Sequence, residues 1–166
     1  MIKLFFTFKH LLATASAAGV FGATAALAQT ITTSASLSFG AFAAGAGGSI
    51  VMEPQGLRSR TGGVMLIPQG LGTAAQFICS GLAGTSYTLL LPSDGTVELT
   101  SGNNKMVVQA FSSSPAIDPN LLPVRIARGT LKGGSQPFNI GATLMVNPAQ
   151  APGNYTGSFD VVFNFE

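Results

Sequence analysis

The sequence predicts an all-β domain, a sandwich or a barrel, and three observations carry that prediction. Segments in which apolar and polar residues alternate recur along the chain. Clusters of Gly, Pro, Asn, Asp and Ser separate them at intervals of roughly 8–12 residues. No segment beyond residue 28 shows a helical period, and no internal repeat is visible.

The first 28 residues are read separately. Lys3 and Lys9 give a basic start, residues 11–28 form an Ala-rich apolar run, and Ala26-Leu27-Ala28 supplies an A-x-A cleavage site. That is the layout of a secretory signal peptide, with a membrane anchor as the rival reading. Gly, Thr and Ser interrupt the run, which favours the signal. The expected organisation is a signal peptide over 1–28 and a single β-domain over 29–166. Such a product is exported to the periplasm, the cell surface or the medium, and meets the membrane only through the signal before cleavage.

Strands are expected in order. Residues 30–39 (TITTSASLSF) alternate almost strictly, with Ile31, Thr33, Ala35, Leu37 and Phe39 on one face. Residues 40–48 (GAFAAGAGG) read as a flexible connector. Strands follow at 49–52, 63–67, 74–80, 86–91, 96–100, 104–111, 123–128 and 137–146. Asp94-Gly95 reads as a hairpin turn. The chain ends on one long strand, with Tyr155, Phe159, Val161, Phe163 and Phe165 in its inward register. The expected core is Leu37, Phe39, Phe77, Leu89, Leu91, Met106, Val108, Phe138, Ile140, Leu144, Phe159, Val161 and Phe163, with Tyr87 and Tyr155 nearer the rim.

Charge and composition exclude several functions. Lys3 and Lys9 are two of the eight basic residues; the other six balance six acids, so the exported domain carries no net charge. A nucleic-acid ligand is therefore not expected. The single histidine, His10, belongs to the signal, which removes the usual general base of a hydrolytic triad. One cysteine, Cys79, can build neither an internal disulfide nor a zinc site, and it reads as a small buried apolar side chain. Asp94 and Glu98 read as solvated turn charges, Arg58 and Arg60 as a polar loop, and Arg128 and Lys132 as part of a loop between strands. Asp118 and Asn120 lack the ligand series of a calcium loop. Asn154-Tyr155-Thr156 fits a glycosylation triplet, and a strand start explains it better. No enzyme activity, cofactor or metal is expected.

The stretches LSFGAFAAGAGGSIVMEPQG, SGNNKMVVQAF and IGATLMVNPAQAPGNYTGSFDVVFNF resemble the bacterial exported family catalogued as domain of unknown function 4402. The resemblance spans the chain from about Gln29 to its end. It implies an immunoglobulin-like sandwich of pilin or spore-coat-U type, in which a neighbour's extended segment completes the fold. Pilins of the chaperone–usher class often hold a disulfide, and a single cysteine departs from that pattern.

The function expected is that of a secreted or cell-surface structural or adhesive protein acting through β-strand pairing or surface contact. The alternative is a monomeric carbohydrate- or surface-binding module, for which Phe42 is the aromatic to watch. Expected partners are other copies or related subunits by strand donation, and a periplasmic chaperone. The expected pairing interface is Ile31, Thr33, Ala35, Leu37 and Phe39 of segment 30–39 against Tyr155, Phe159, Val161, Phe163 and Phe165 of the terminal strand, within one chain or, by a swing of the 40–48 connector, between chains.

Overall fold

The computed structural model describes residues 2–6, 11–15, 29–116 and 125–166, and no helix is present among them. In chain order the strands are β1 (Ile2–Phe6), β2 (Leu11–Ala15), β3 (Thr30–Ala35), β4 (Phe42–Ala43), β5 (Gly48–Met52), β6 (Arg58–Gly62), β7 (Met65–Leu66), β8 (Ala75–Ser80), β9 (Ser86–Leu91), β10 (Val97–Ser101), β11 (Asn104–Ser114), β12 (Arg125–Thr130), β13 (Ser135–Val146), β14 (Gly153–Gly157) and β15 (Val161–Phe165). They form two sheets packed around one core. The larger runs β3-β8-β13-β11-β10-β14-β1-β4-β7, with β5 and β6 branching from β13. The smaller runs β12-β9-β15-β2.

Strand β13 organises the larger sheet. β11 takes one of its edges, while β8 and β5 share the other, pairing with Ser135–Ile140 and Ala142–Val146 respectively. Gly102 opens the tight turn of the β10–β11 hairpin at a φ of 57°, which favours glycine.

Burial follows the period of two wherever a strand faces the other sheet. Strands β8 (AQFICS) and β9 (SYTLLL) bury every second residue. All thirteen expected core residues are buried. Rings from the two sheets meet edge to face: Phe138 of β13 lies 4.9 Å from Tyr87 and 5.0 Å from Phe163, and Phe77 lies 6.4 Å from Phe163. Such pairs contribute about 0.5–1.5 kcal/mol each beyond their burial.

Tyr87 and Tyr155 belong to this core and not to its rim, at 3% and 0% exposure. Burial is tolerable because each hydroxyl is satisfied. Tyr155 donates to the Ala151 carbonyl at 2.8 Å and accepts from Gln150 at 2.8 Å, and Tyr87 accepts from Gln136 at 3.2 Å.

The 40–48 segment is a packed part of the fold and not a flexible connector. It contains β4, and Ala41, Phe42 and Ala44 are buried. Its glycines serve close approach. A Cβ on Gly40, which has a φ of 70°, would strike the Gly70 carbonyl and the Arg58 guanidinium. Arg58 explains why this region is fixed. It stands in β6, which pairs with β5 as a hairpin where a polar loop was expected. Its guanidinium donates to the carbonyls of Phe39 at 2.9 Å, Gly70 at 2.6 Å and Ile67 at 3.2 Å. One side chain thus ties three loop carbonyls together, and those of Gly70 and Ile67 also accept the Ala41 and Gly70 backbone N–H groups.

Asp94-Gly95 does not close a hairpin either, because β9 and β10 lie in different sheets. Asp94 is more than a solvated turn charge. Its carboxylate accepts from Arg125 at 2.9 and 3.1 Å and from the Ala110 backbone N–H at 2.6 Å, where Ala110 has a φ of 51° inside a bulge of β11. Arg125 also donates to the Phe111 carbonyl at 3.0 Å. This network pins the crossing between sheets to β11 and β12. Glu98 forms an exposed pair with Lys105 across the β10–β11 hairpin at 2.7 Å.

Two predictions follow from these polar anchors. Arg58→Met keeps the side-chain stem and removes the donors, so it is expected to lower unfolding free energy by about 2–4 kcal/mol in urea, given about 1.5–3 kcal/mol for a hydrogen bond to a charged group and the partners that the carbonyls retain. The Arg125 hydrogen bonds, supported by the Ala110 N–H and opposed by partial burial, hold the Asp94 carboxyl below its usual range. Its stabilising effect is therefore complete above the unfolded value near ~3.9 and fades as pH falls through the lower folded value. Thermal melts from pH 6 down to 2 should show less acid-induced loss in Asp94→Asn than in the parent.

Candidate functional site

The terminal segment belongs to both sheets. Strand β14 lies in the larger sheet, β15 in the smaller, and Ser158, Phe159 and Asp160 cross between them. The single long strand read from the sequence is thus two strands. Burial still alternates through the break: Tyr155, Phe159, Val161, Phe163 and Phe165 are all buried, while Thr156, Ser158 and Asp160 are exposed. Phe159 holds the crossing in place, its ring 5.0 Å from Phe111.

Each half has one partner within the domain. β15 pairs antiparallel with β9, from Val162 opposite Leu90 to Phe165 opposite Tyr87. β14 meets β10 at Thr156 opposite Thr100. Gly157 makes that contact feasible. A Cβ there would sit 2.5 Å from the Glu98 carbonyl oxygen and 2.9 Å from Leu99.

The other edge of both halves is taken by residues from the first fifteen. β1 runs parallel to β14, from Ile2 opposite Gly153 to Phe6 opposite Gly157. β2 runs parallel to β15, from Leu11 opposite Val161 to Ala15 opposite Phe165. β1 also bridges to β4 on its far side through Ile2 and Phe42, so it stands between β14 and β4 in the sheet order. A shallow groove of about 480 Å³, walled by Leu90, Pro92, Ser158 and Val162, opens beside the crossing.

The expected pairing of segment 30–39 with the terminal strand is not what the structure has. β3 pairs antiparallel with β8, from Thr30 opposite Ser80 to Ala35 opposite Gln76, at the far edge of the larger sheet. Leu37 and Phe39 are buried in the shared core, Ile31 and Ala35 are half-buried, and Thr33 is exposed on this edge strand, with a register shift between Thr33 and Ala35. The two expected faces therefore enter one core without sharing hydrogen bonds. Their similar patterning reported burial, which does not specify a neighbour.

The remaining candidates are placed as follows. Cys79 is buried in β8 as expected, and burial pushes its thiol up to about 12. Phe42 is fully buried and offers no ring to a ligand. Arg128 lies on β12 and Lys132 in the loop beyond it, and Asn154 falls in β14. Asp118 and Asn120 lie outside the described residues. Among the described residues, no three His, Cys, Asp or Glu side chains gather where they could hold a metal ion. The β1 and β2 pairings were missed because a basic, apolar N-terminus reads first as a targeting segment. The available signal was that residues 2–6 and 11–15 are also apolar enough for a strand.

Gly157→Val tests the close approach of β14 to β10. Forced apart by the added side chain, the pair should lose about 1–3 kcal/mol of stability in denaturant titration, the usual cost of overpacking. Gly102→Ala, at a turn with open space around it, controls for backbone effects alone.

Comparison with curated proteins and with solved structures gives no match. Residues 29–165 match the family model described as Domain of unknown function (DUF4402), which covers most of the sequence, and the chain belongs to that family.

Proposed function

We propose that this chain is an exported structural or adhesive protein that acts through β-strand pairing, on an immunoglobulin-like sandwich of pilin type preceded by a cleaved signal peptide. One observation carries the reading. Among the described residues, the outer edge of the terminal segment, in both sheets, is covered by β1 and β2 alone, which lie inside the predicted signal. Cleavage between Ala28 and Gln29, where the family match also begins, leaves an edge of unpaired N–H and C=O groups. Such an edge is a template for another chain. The neutral charge balance of the exported part supports the reading, since little repulsion opposes association. No enzyme activity is proposed.

Recognition of sugars by exposed aromatic rings has less support. The large apolar side chains exposed among the described residues are Leu57, Met65, Leu71, Ile78, Leu82 and Met145, none of them aromatic.

Export of the full chain from a bacterial host, followed by size exclusion and electron microscopy, tests the proposal. Intact mass should show a chain starting at Gln29, and the material should form oligomers or fibres. A strictly monomeric product at high concentration contradicts it.

A further inference from the structure

We infer that two Pro-Gln-Gly-Leu turns, at 54–57 and 68–71, form a lipid-contact surface that seats Leu57 and Leu71 in the interface of an anionic bilayer. The inference does not depend on the strand-pairing reading above and concerns a different part of the larger sheet.

The first observation is a short motif used twice. Pro-Gln-Gly-Leu occurs at both places. It is too short to build a repeat architecture, yet it folds the same way each time. The proline takes the second position of a β-turn that the glycine N–H closes. Gly56 donates to the Glu53 carbonyl at 2.8 Å, and Gly70 donates to the Ile67 carbonyl at 3.1 Å. Each turn then delivers a leucine to solvent. Leu57 is 62% exposed, and Leu71, at 78%, is the most exposed large apolar side chain among the described residues.

The second observation is that the two turns are fixed to each other. Arg58 follows directly on the first turn, and its guanidinium donates to the Ile67 and Gly70 carbonyls of the second at 3.2 and 2.6 Å. The Ala41 N–H holds the Gly70 carbonyl from behind at 2.9 Å. Single apolar side chains scattered over a surface need no partner. Two leucines presented by the same turn on one rigid mount mark a contact.

Charge and shape name the partner. Residues 54–73 contain Arg58 and Arg60 and no Asp or Glu, in a domain of no net charge. The nearest acid in sequence, Glu53, is half-buried at the base of the first turn, and Arg60 is exposed. The chain packed behind the turns, at 38–41 and at Gly141, is uncharged. The first turn stands free: a Cβ on Gly56 would meet nothing within 4 Å. A protein partner would need a pocket shaped for each leucine. A bilayer interface needs none, because it takes up protruding apolar side chains wherever they arrive and holds basic groups against its phosphates. The leucines act as anchors, and Arg60 sets the preference for an anionic surface.

Fluorescence tests the assignment on the purified protein. The chain has no tryptophan, so Leu71→Trp gives it a single reporter at an exposed position, where substitution costs little stability. Vesicles of phosphatidylcholine mixed with phosphatidylglycerol should shift its emission to the blue, and brominated acyl chains should quench it. Leu82→Trp is the control, at a leucine equally exposed to Leu57 in another loop, and should show neither change. Quenching is local, so lipid held elsewhere, by a retained leader included, leaves the comparison intact. Leu57→Asn combined with Leu71→Trp should weaken vesicle affinity about tenfold. Arg60→Gln should weaken it about fivefold on the mixed vesicles and leave binding to pure phosphatidylcholine unchanged. An unquenched reporter at 71, equal quenching at 71 and 82, or an affinity that Leu57→Asn leaves unchanged overturns the inference. So does an emission shift that follows protein concentration and ignores vesicles, because the turns would then meet protein in place of lipid.

Discussion

The backbone hydrogen bonds of the terminal segment are the constraint on which the rest of the structure depends. Among the described residues, 153–165 pair in both sheets, β14 in the larger and β15 in the smaller, and so tie the two layers together. Phe159 sits at the crossing and Tyr155 and Phe163 anchor either side, all within the core. β10 and β9 take one edge, and the other is left to whatever strand can reach both sheets at once. In this chain that strand comes from residues 2–15.

The polar anchors make this arrangement rigid where sequence composition suggests looseness. Gly/Ala-rich segments such as 40–48 are cheap to leave flexible, because each ordered glycine loses much backbone entropy. Arg58 offsets that cost by gathering the Phe39, Ile67 and Gly70 carbonyls. Asp94 and Arg125 do the same for the link between β9 and β10. β4 and the crossing, which lie to either side of β1, are therefore held in place.

What was legible in the sequence was the side of each strand that faces inward. Phe77, Leu89, Phe138 and Phe163 announce their burial through the period of two, and the family resemblance marks the same span of chain. Which strand lies beside which was not legible. Residues 30–39 and the terminal segment share a pattern because both line one core, and that pattern fits β8 as well as β15. The β6 strand escaped because Arg-Ser-Arg-Thr-Gly has no apolar face; it is a strand through pairing with β5 and through what Arg58 reaches. Tyr155 was misplaced at the rim because a hydroxyl suggests water, and its partners, the Ala151 carbonyl and Gln150, lie in a turn that periodicity does not describe.

Residues 2–15, which the sequence reads as part of a leader, run parallel to the terminal segment and cover its second edge; under the proposed function, cleavage after Ala28 removes that cover. The most direct measurement of this account is residue-resolved hydrogen exchange on the exported, leader-free protein, followed from dilute to concentrated solution. The account predicts that those amides of Val161–Phe165 that point away from β9 exchange rapidly when dilute and become protected as molecules associate, while those of β8 and β13 remain protected throughout. Full protection of Val161–Phe165 in a dilute leader-free monomer would contradict it, because the domain would then be closing that edge with its own chain.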